Sequence, residues 1–438
     1  MKKVLLIQPS PYDPKGKPIK KNRLYFVGLG MPLLAALTPA GWTVEIILET
    51  IESIPFDTDA DIIGIGSMGH GVIRTIDIAR EFKKRGKTVV LGGYMVSLMP
   101  DEAQKYADAV VVGDAELVWP TLLHDWETGQ LKSIYEQPIN KLETPLPRFD
   151  LIIQKKIGDF LPVQAGRGCP HSCSFCSVYC LYKGRYLRRD ISDVVRDIQH
   201  VKGLGFKKFM LLDDNIAADR EFMMELCREI KTLNMEWISQ CSIEIGRDSE
   251  LLRAVASSGC TALSFGLESI TQASLDDMDK SWAHPEDYPQ LIENIQRNGI
   301  DVSTEMVVGA DGDTLDSIRA TATFIRRHKI LVPRFYILTP IPGTKFYTDM
   351  KRQGRIYIND IYAYNGSQAV HIPKNMTPDE LTDAYWALYR EVFSWSSIIH
   401  RTLMRRDFWR KAPRYLFYFL INVYYRQQIH QGITPNII

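Results

Sequence analysis

Two rhythms of apolar and polar positions alternate along most of the chain. Residues 4–7, 44–48, 62–65, 89–91 and 109–112 are apolar almost without interruption, and the segments between them carry apolar residues every three or four positions. The first pattern marks strands buried on both faces of a parallel sheet, and the second marks amphipathic helices. Helices are expected over 31–38, 72–84, 98–106 and 115–126. Five strands with helices between them predict a doubly wound α/β domain over residues 1–130, with ligands beyond the carboxyl ends of its strands. Residues 131–159, broken by Pro145 and Pro147, read as an extended linker. The rhythm then resumes over 160–350. Strands are expected at 161–165, 208–212, 236–239, 262–265, 303–308 and 334–338, and helices at 190–203, 220–232 and 285–298. The remainder, 351–438, reads as a helical region that opens with an amphipathic helix over 378–393.

Composition narrows the class. A chain of 438 residues with 45% apolar and 24% charged positions has globular values and room for two or three cores. A formal charge of +1 lacks the basic excess expected of a nucleic-acid partner. Seven cysteines, three of them clustered, form no disulfide ladder and point to a reducing, cytoplasmic setting. The apolar start breaks at Gln8-Pro9, which is early for a signal peptide, and no run reaches the roughly 18 apolar residues of a membrane span.

The densest chemistry lies at Gly166-Arg167-Gly168-Cys169-Pro170-His171-Ser172-Cys173-Ser174-Phe175-Cys176. Three thiolates at C-x3-C-x2-C spacing bind soft metals. A structural zinc site would need a fourth ligand, whereas three cysteines can hold three irons of a [4Fe-4S] cube and leave the fourth open. With its Gly-Cys-Pro start and Phe175 before the last cysteine, the loop resembles the signature of radical S-adenosylmethionine enzymes. That resemblance implies cluster ligation by Cys169, Cys173 and Cys176, and a partial (β/α)6 barrel of TIM type over 160–350. It also implies S-adenosylmethionine contacts from Phe175 and the strand ends: Asp213, Asp214, Asn215, Glu268, Val308 and Gly309. Asp and Asn at such positions also cap helices. Cys180 lies outside the motif, and Cys227, Cys241 and Cys260 read as small packing residues.

The stretches Leu91-Gly92-Gly93-Tyr94-Met95-Val96-Ser97 and Val112-Gly113-Asp114-Ala115-Glu116 resemble those of the cobalamin-binding subfamily, whose Rossmann-like domain precedes the barrel. This implies a cobalamin site at Gly92, Gly93, Ser97, Val112, Gly113 and Glu116. The Asp-x-His-x-x-Gly motif of a lower axial histidine is absent. Ser67, Met68 and His70 are then the candidates beneath the corrin.

The resemblance implies methylation of an unactivated carbon through a 5′-deoxyadenosyl radical and methylcobalamin. A one-electron reductant such as flavodoxin or ferredoxin would serve it. The alternatives are a non-methylating enzyme with both cofactors, or an iron-sulfur binding or sensor protein. The basic, aromatic tail from Arg401 to Tyr425 suggests a hydrophobic or lipid-like substrate and peripheral contact with the inner face of a membrane.

Overall fold

Unbroken β-branched runs form strands wherever both of their faces find cover. The computed structural model describes residues 2–66, 71–360 and 363–435. By internal contacts it divides into two units, one built on Met1–Arg167 and Leu187–Phe209, the other on Gly168–Tyr186 and Met210–Asn436.

The first unit holds β1 (Lys2–Gln8), β2 (Leu24–Phe26), β3 (Trp42–Leu48), β4 (Ile62–Gly66), β5 (Thr88–Gly92), β6 (Ala109–Val112), β7 (Ile134–Glu136) and β8 (Ile157–Gln164). Six of them form a parallel sheet in the order β3-β1-β4-β5-β6-β7, and β2 pairs with β8. Val4, Leu5, Leu6 and Ile7 on β1 are wholly buried. Helix Val72–Lys84 packs Ile78, Ala79 and Phe82 into the same core. The chain steps from β1 outward to β3 and then back across to β4. That reversal makes the switch point at which doubly wound folds bind ligands.

Three expectations are corrected. The linker reading of 131–159 overlooked β7, an edge strand of three residues, too short to show a period. It also overlooked the start of β8 at Ile157. The helix expected over 98–106 is two, Tyr94–Leu98 and Pro100–Gln104, because Pro100 cannot continue a helix through Met99. The helix expected from 115 starts at Trp119, where Pro120 occupies the first turn.

Strands β9 (Gly166–Gly168) and β10 (Tyr186–Arg188) make a two-stranded ribbon around the cysteine loop. There follow β11 (Lys208–Leu212), β12 (Glu236–Cys241), β13 (Cys260–Glu268), β14 (Asp301–Val308) and β15 (Val332–Ile337), which lie side by side in chain order. Helices such as Arg220–Lys231, Tyr288–Arg297 and Leu315–Arg327 return the chain between them. Counting β8, six strand–helix repeats build a partial (β/α)6 barrel, and β15 ends its sheet.

A sheet end exposes unpaired N–H and C=O groups. Here helix Pro378–Val392, opened by a Thr377–Glu380 capping box, lies against it. The Tyr389 hydroxyl donates to the Phe335 carbonyl at 3.0 Å and accepts the Phe335 N–H at 2.9 Å. Arg401, on helix Trp395–Thr402, is fully buried and donates to Ile330 O, Leu331 O, Val392 O and Asn422 Oδ1 at 2.7–3.1 Å. Among the described residues no helix is long and apolar enough to cross a membrane.

Tyr389→Phe deletes one oxygen and leaves two buried backbone groups on β15 without partners. The expected cost is about 2–4 kcal/mol, read as a lower urea midpoint by circular dichroism. An unchanged midpoint would show that the edge is satisfied in some other way.

Candidate active site

Backbone geometry dictates the entry to the cysteine loop. Gly168 has φ +90°, and a Cβ there would lie 2.1 Å from the Arg185 carbonyl oxygen, so only glycine fits. Its N–H donates to Asp214 Oδ2 at 2.6 Å, which ties the loop to the end of β11. Beyond Cys173, the Ser174 N–H donates to Met278 O at 3.0 Å, and Ser174 O accepts the Phe346 N–H at 2.9 Å. The loop is therefore held at its entry and again between its second and third cysteines.

Cys173 is buried, and Cys169 and Cys176 are half-buried. Burial pushes the Cys173 and Cys176 thiols up, to about 11 and about 12, with the neighbouring thiols adding to both shifts and Lys280 opposing at Cys173. Among the described residues no three Cys, His, Asp or Glu side chains gather as for a single metal ion. A cube whose irons each take one cysteine does not require such convergence.

The strand-end residues turn out to be engaged. Asp213 accepts the Tyr186 hydroxyl at 2.6 Å and the Asn215 N–H at 2.8 Å. Asn215 Oδ1 accepts the N–H groups of Ser242 and Ala217, and its side chain reaches the Cys169 thiol. Glu268 sits at φ +61°, where the β13–β14 register shifts. Such bulges re-aim side chains. Its carboxylate meets Lys280 Nζ at 2.9 Å, and the same ammonium donates to Gly266 O at 2.6 Å. Val308 is buried. Gly309 has φ +99° and a Cβ there would lie 2.5 Å from Leu381 of helix Pro378–Val392. Its N–H is bonded to Asp313 and its carbonyl to His371 Nε2. Phe175 is half-buried.

Sequence reasoning missed Lys280, a buried cation beside the thiols, and the stacking of His171 on Trp282 with ring centres 3.7 Å apart. Lys280 also lies over the Trp282 ring, at 5.1 Å. Neither residue belongs to a periodic pattern or a recognised motif.

In the first unit, the turns after β5 and β6 carry Gly93 at φ +104° and Gly113 at φ +76°. A Cβ on Gly113 would meet nothing within 4 Å, so its backbone faces open space. Gly92 packs near Val111. Ser97 staples the two turns together. Its hydroxyl donates to Gly93 O and accepts the Gly113 N–H, both at 2.9 Å. The Val112 side chain lies in the core. Glu116 is committed to Arg167, which bridges it and Asp114 at 2.5 Å each and also bonds Gln164. Arg167 stands inside the cysteine motif, and its own neighbours in sequence gave no sign of this partner. Ser67, Met68 and His70 lie outside the described residues. A cavity of about 620 Å³ lined by Lys2, Trp42 and Glu127 sits at the amino ends of β1 and β3, the opposite strand ends from these glycines.

Residues 163–325 match the radical SAM superfamily. The chain is 32% identical over 401 residues to bacteriochlorophyllide d C-8(2)-methyltransferase of Chlorobaculum tepidum, covering 87% of this chain and 88% of that one. It is 29% identical over 411 residues to the C-12(1)-methyltransferase of the same organism, covering 91% and 89%. The fold resembles the solved structure of the cobalamin-dependent S-adenosylmethionine radical enzyme OxsB. The TM-score is 0.70 at 13% identity, over 98% of this chain and 72% of that one.

Burial pushes the Asp213 carboxyl up to about 7, with the Tyr186 hydroxyl opposing the shift. A raised carboxyl stabilises the fold below its unfolded value near 4, and that contribution is lost as pH rises through 7. Asp213→Asn, neutral throughout, should gain stability relative to the native chain between pH 5 and pH 8. Thermal melts at both pH values check this, and parallel curves would refute it.

Proposed function

The chain belongs to the cobalamin-binding branch of the radical S-adenosylmethionine superfamily, and we propose that it methylates an unactivated carbon on a hydrophobic, tetrapyrrole-like macrocycle. The observation that carries the reading is near-equal similarity, along almost the whole chain, to two enzymes named for different positions of one macrocycle. Similarity to both supports a shared ring system more than a shared carbon.

In this reading Cys169, Cys173 and Cys176 hold three irons of a [4Fe-4S] cluster, and the fourth iron is open to S-adenosylmethionine. The chemistry available with cluster, S-adenosylmethionine and cobalamin bound is one-electron sulfonium cleavage, hydrogen removal from an unactivated carbon and supply of a methyl group. The residues' part is to position and to balance charge. The thiols must shed protons as metal binds, and the buried Lys280 cation favours the resulting negative charge. Asp214 fixes the loop entry through Gly168, and Asn215 holds the Cys169 side. Glu268, released from Lys280, is the acceptor offered to ribose or an ammonium. Gly93 and Gly113 bring bare backbone to the edge of a corrin site, with Ser97 holding the two turns in register. The stacked His171–Trp282 pair offers a flat surface suited to a planar macrocycle. A flavodoxin- or ferredoxin-type donor supplies electrons.

Anaerobic turnover with trideuteromethyl S-adenosylmethionine, cobalamin, a reductant and bacteriochlorophyllide-type chlorins should yield product carrying the labelled methyl by mass spectrometry. An oxidised or ring-closed product without label would replace methyl transfer with the non-methylating alternative.

Single Ala replacements of Cys169, Cys173 or Cys176 should each abolish 5′-deoxyadenosine formation and lower bound iron. Cys180→Ala, whose thiol donates to the Gly343 carbonyl at 3.2 Å, should retain both. Equal loss in Cys180→Ala would reassign the ligands.

A further inference from the structure

We propose that the C-terminal helices form a docking surface for an anionic lipid membrane. Helix Ala412–His430 turns Tyr415, Asn422, Tyr425 and Ile429 inward. Its other face carries Leu416, Phe417, Leu420 and Tyr424, of which Leu420 is 64% exposed. On the preceding segment Trp395, Ile399 and Met404 are exposed, and Trp409 is 90% exposed. Side chains of this size are ordinarily buried, and so many on one segment mark an interaction surface.

Charge identifies the occupant. Residues 395–430 hold seven Arg and Lys against a single acid, Asp407, in a chain whose net charge is only +1. The structure divides the tail's basic residues. Arg405 donates to the Lys329 carbonyl, Lys411 pairs with Asp407, and Arg414 pairs with Asp301. Arg401 is buried among carbonyls. Arg406 and Arg410 remain exposed beside Trp409. A second copy of this chain would bring like charges together on the same face. An anionic bilayer supplies both complements, with headgroups for Arg406 and Arg410 and an acyl boundary for Trp409, Phe417 and Leu420. With no described helix long enough to span, the helices lie in the plane of the interface.

The test is flotation of the full, cluster-loaded chain with vesicles of phosphatidylcholine alone or containing phosphatidylglycerol. Binding is expected only with phosphatidylglycerol, and it should weaken as salt rises. Arg406→Gln with Arg410→Gln should lower the partition coefficient about 30-fold. Leu420→Glu should lower it further. Unchanged cluster absorbance and melting temperature in each variant establish that the fold is intact. Equal binding to both vesicle types, or no effect of the paired Gln variant, overturns the proposal. So does a lipid-free dimer that Leu420→Glu disperses, since the face would then belong to a second copy.

Discussion

The barrel's six strands do not close on themselves, and the constraint this open edge imposes runs through the second unit. The last strand, β15, has a partner on one side only. Its other side is supplied by groups far along the chain: one tyrosine hydroxyl serving both backbone groups of Phe335, and a guanidinium and an amide collecting the carbonyls of Ile330 and Leu331. These contacts are polar and directional, so they fix where helix Pro378–Val392 must lie. That placement in turn sets Leu381 against Gly309 at the end of β14. The C-terminal region thus closes the sheet and also shapes the strand ends where chemistry is expected.

Around the cysteine loop the same economy of polar groups recurs. Asp213, Asp214 and Asn215 spend their side-chain oxygens on backbone N–H groups and on Tyr186. Such bonds position a loop without touching a ligand, as a preorganised site requires. Glu268 is instead engaged by a side chain, the buried Lys280 ammonium.

How far the fold could be read from sequence depended on whether its signal was local. Strands β1, β4, β5 and β6 are buried on both faces, so each appears as an unbroken apolar run, and β11 and β14 were found with nearly the right bounds. Strand β7 alternates over only three residues and β2 is equally short, so neither produces a period. The cysteine loop was legible because its ligands are neighbours in sequence. Lys280 lies about a hundred residues from the thiols it faces, and Arg167 is fifty residues from the carboxylates it bridges. The Ser97 hydroxyl bonds the turns of Gly93 and Gly113, which stand twenty residues apart in the chain and are brought together only by the folded sheet.

The cage around Arg401 bears on how the chain is made. Its oxygens come from residues 330, 331, 392 and 422, so the guanidinium has no complete set of partners until residue 422 has been synthesised. Domains ordinarily fold as they emerge from the ribosome, amino end first. The sheet of the first unit can do so, since its strands end by Glu136. The barrel must instead wait, with β15 uncovered, for residues 389–422 to arrive. For those moments the nascent chain carries an open sheet edge.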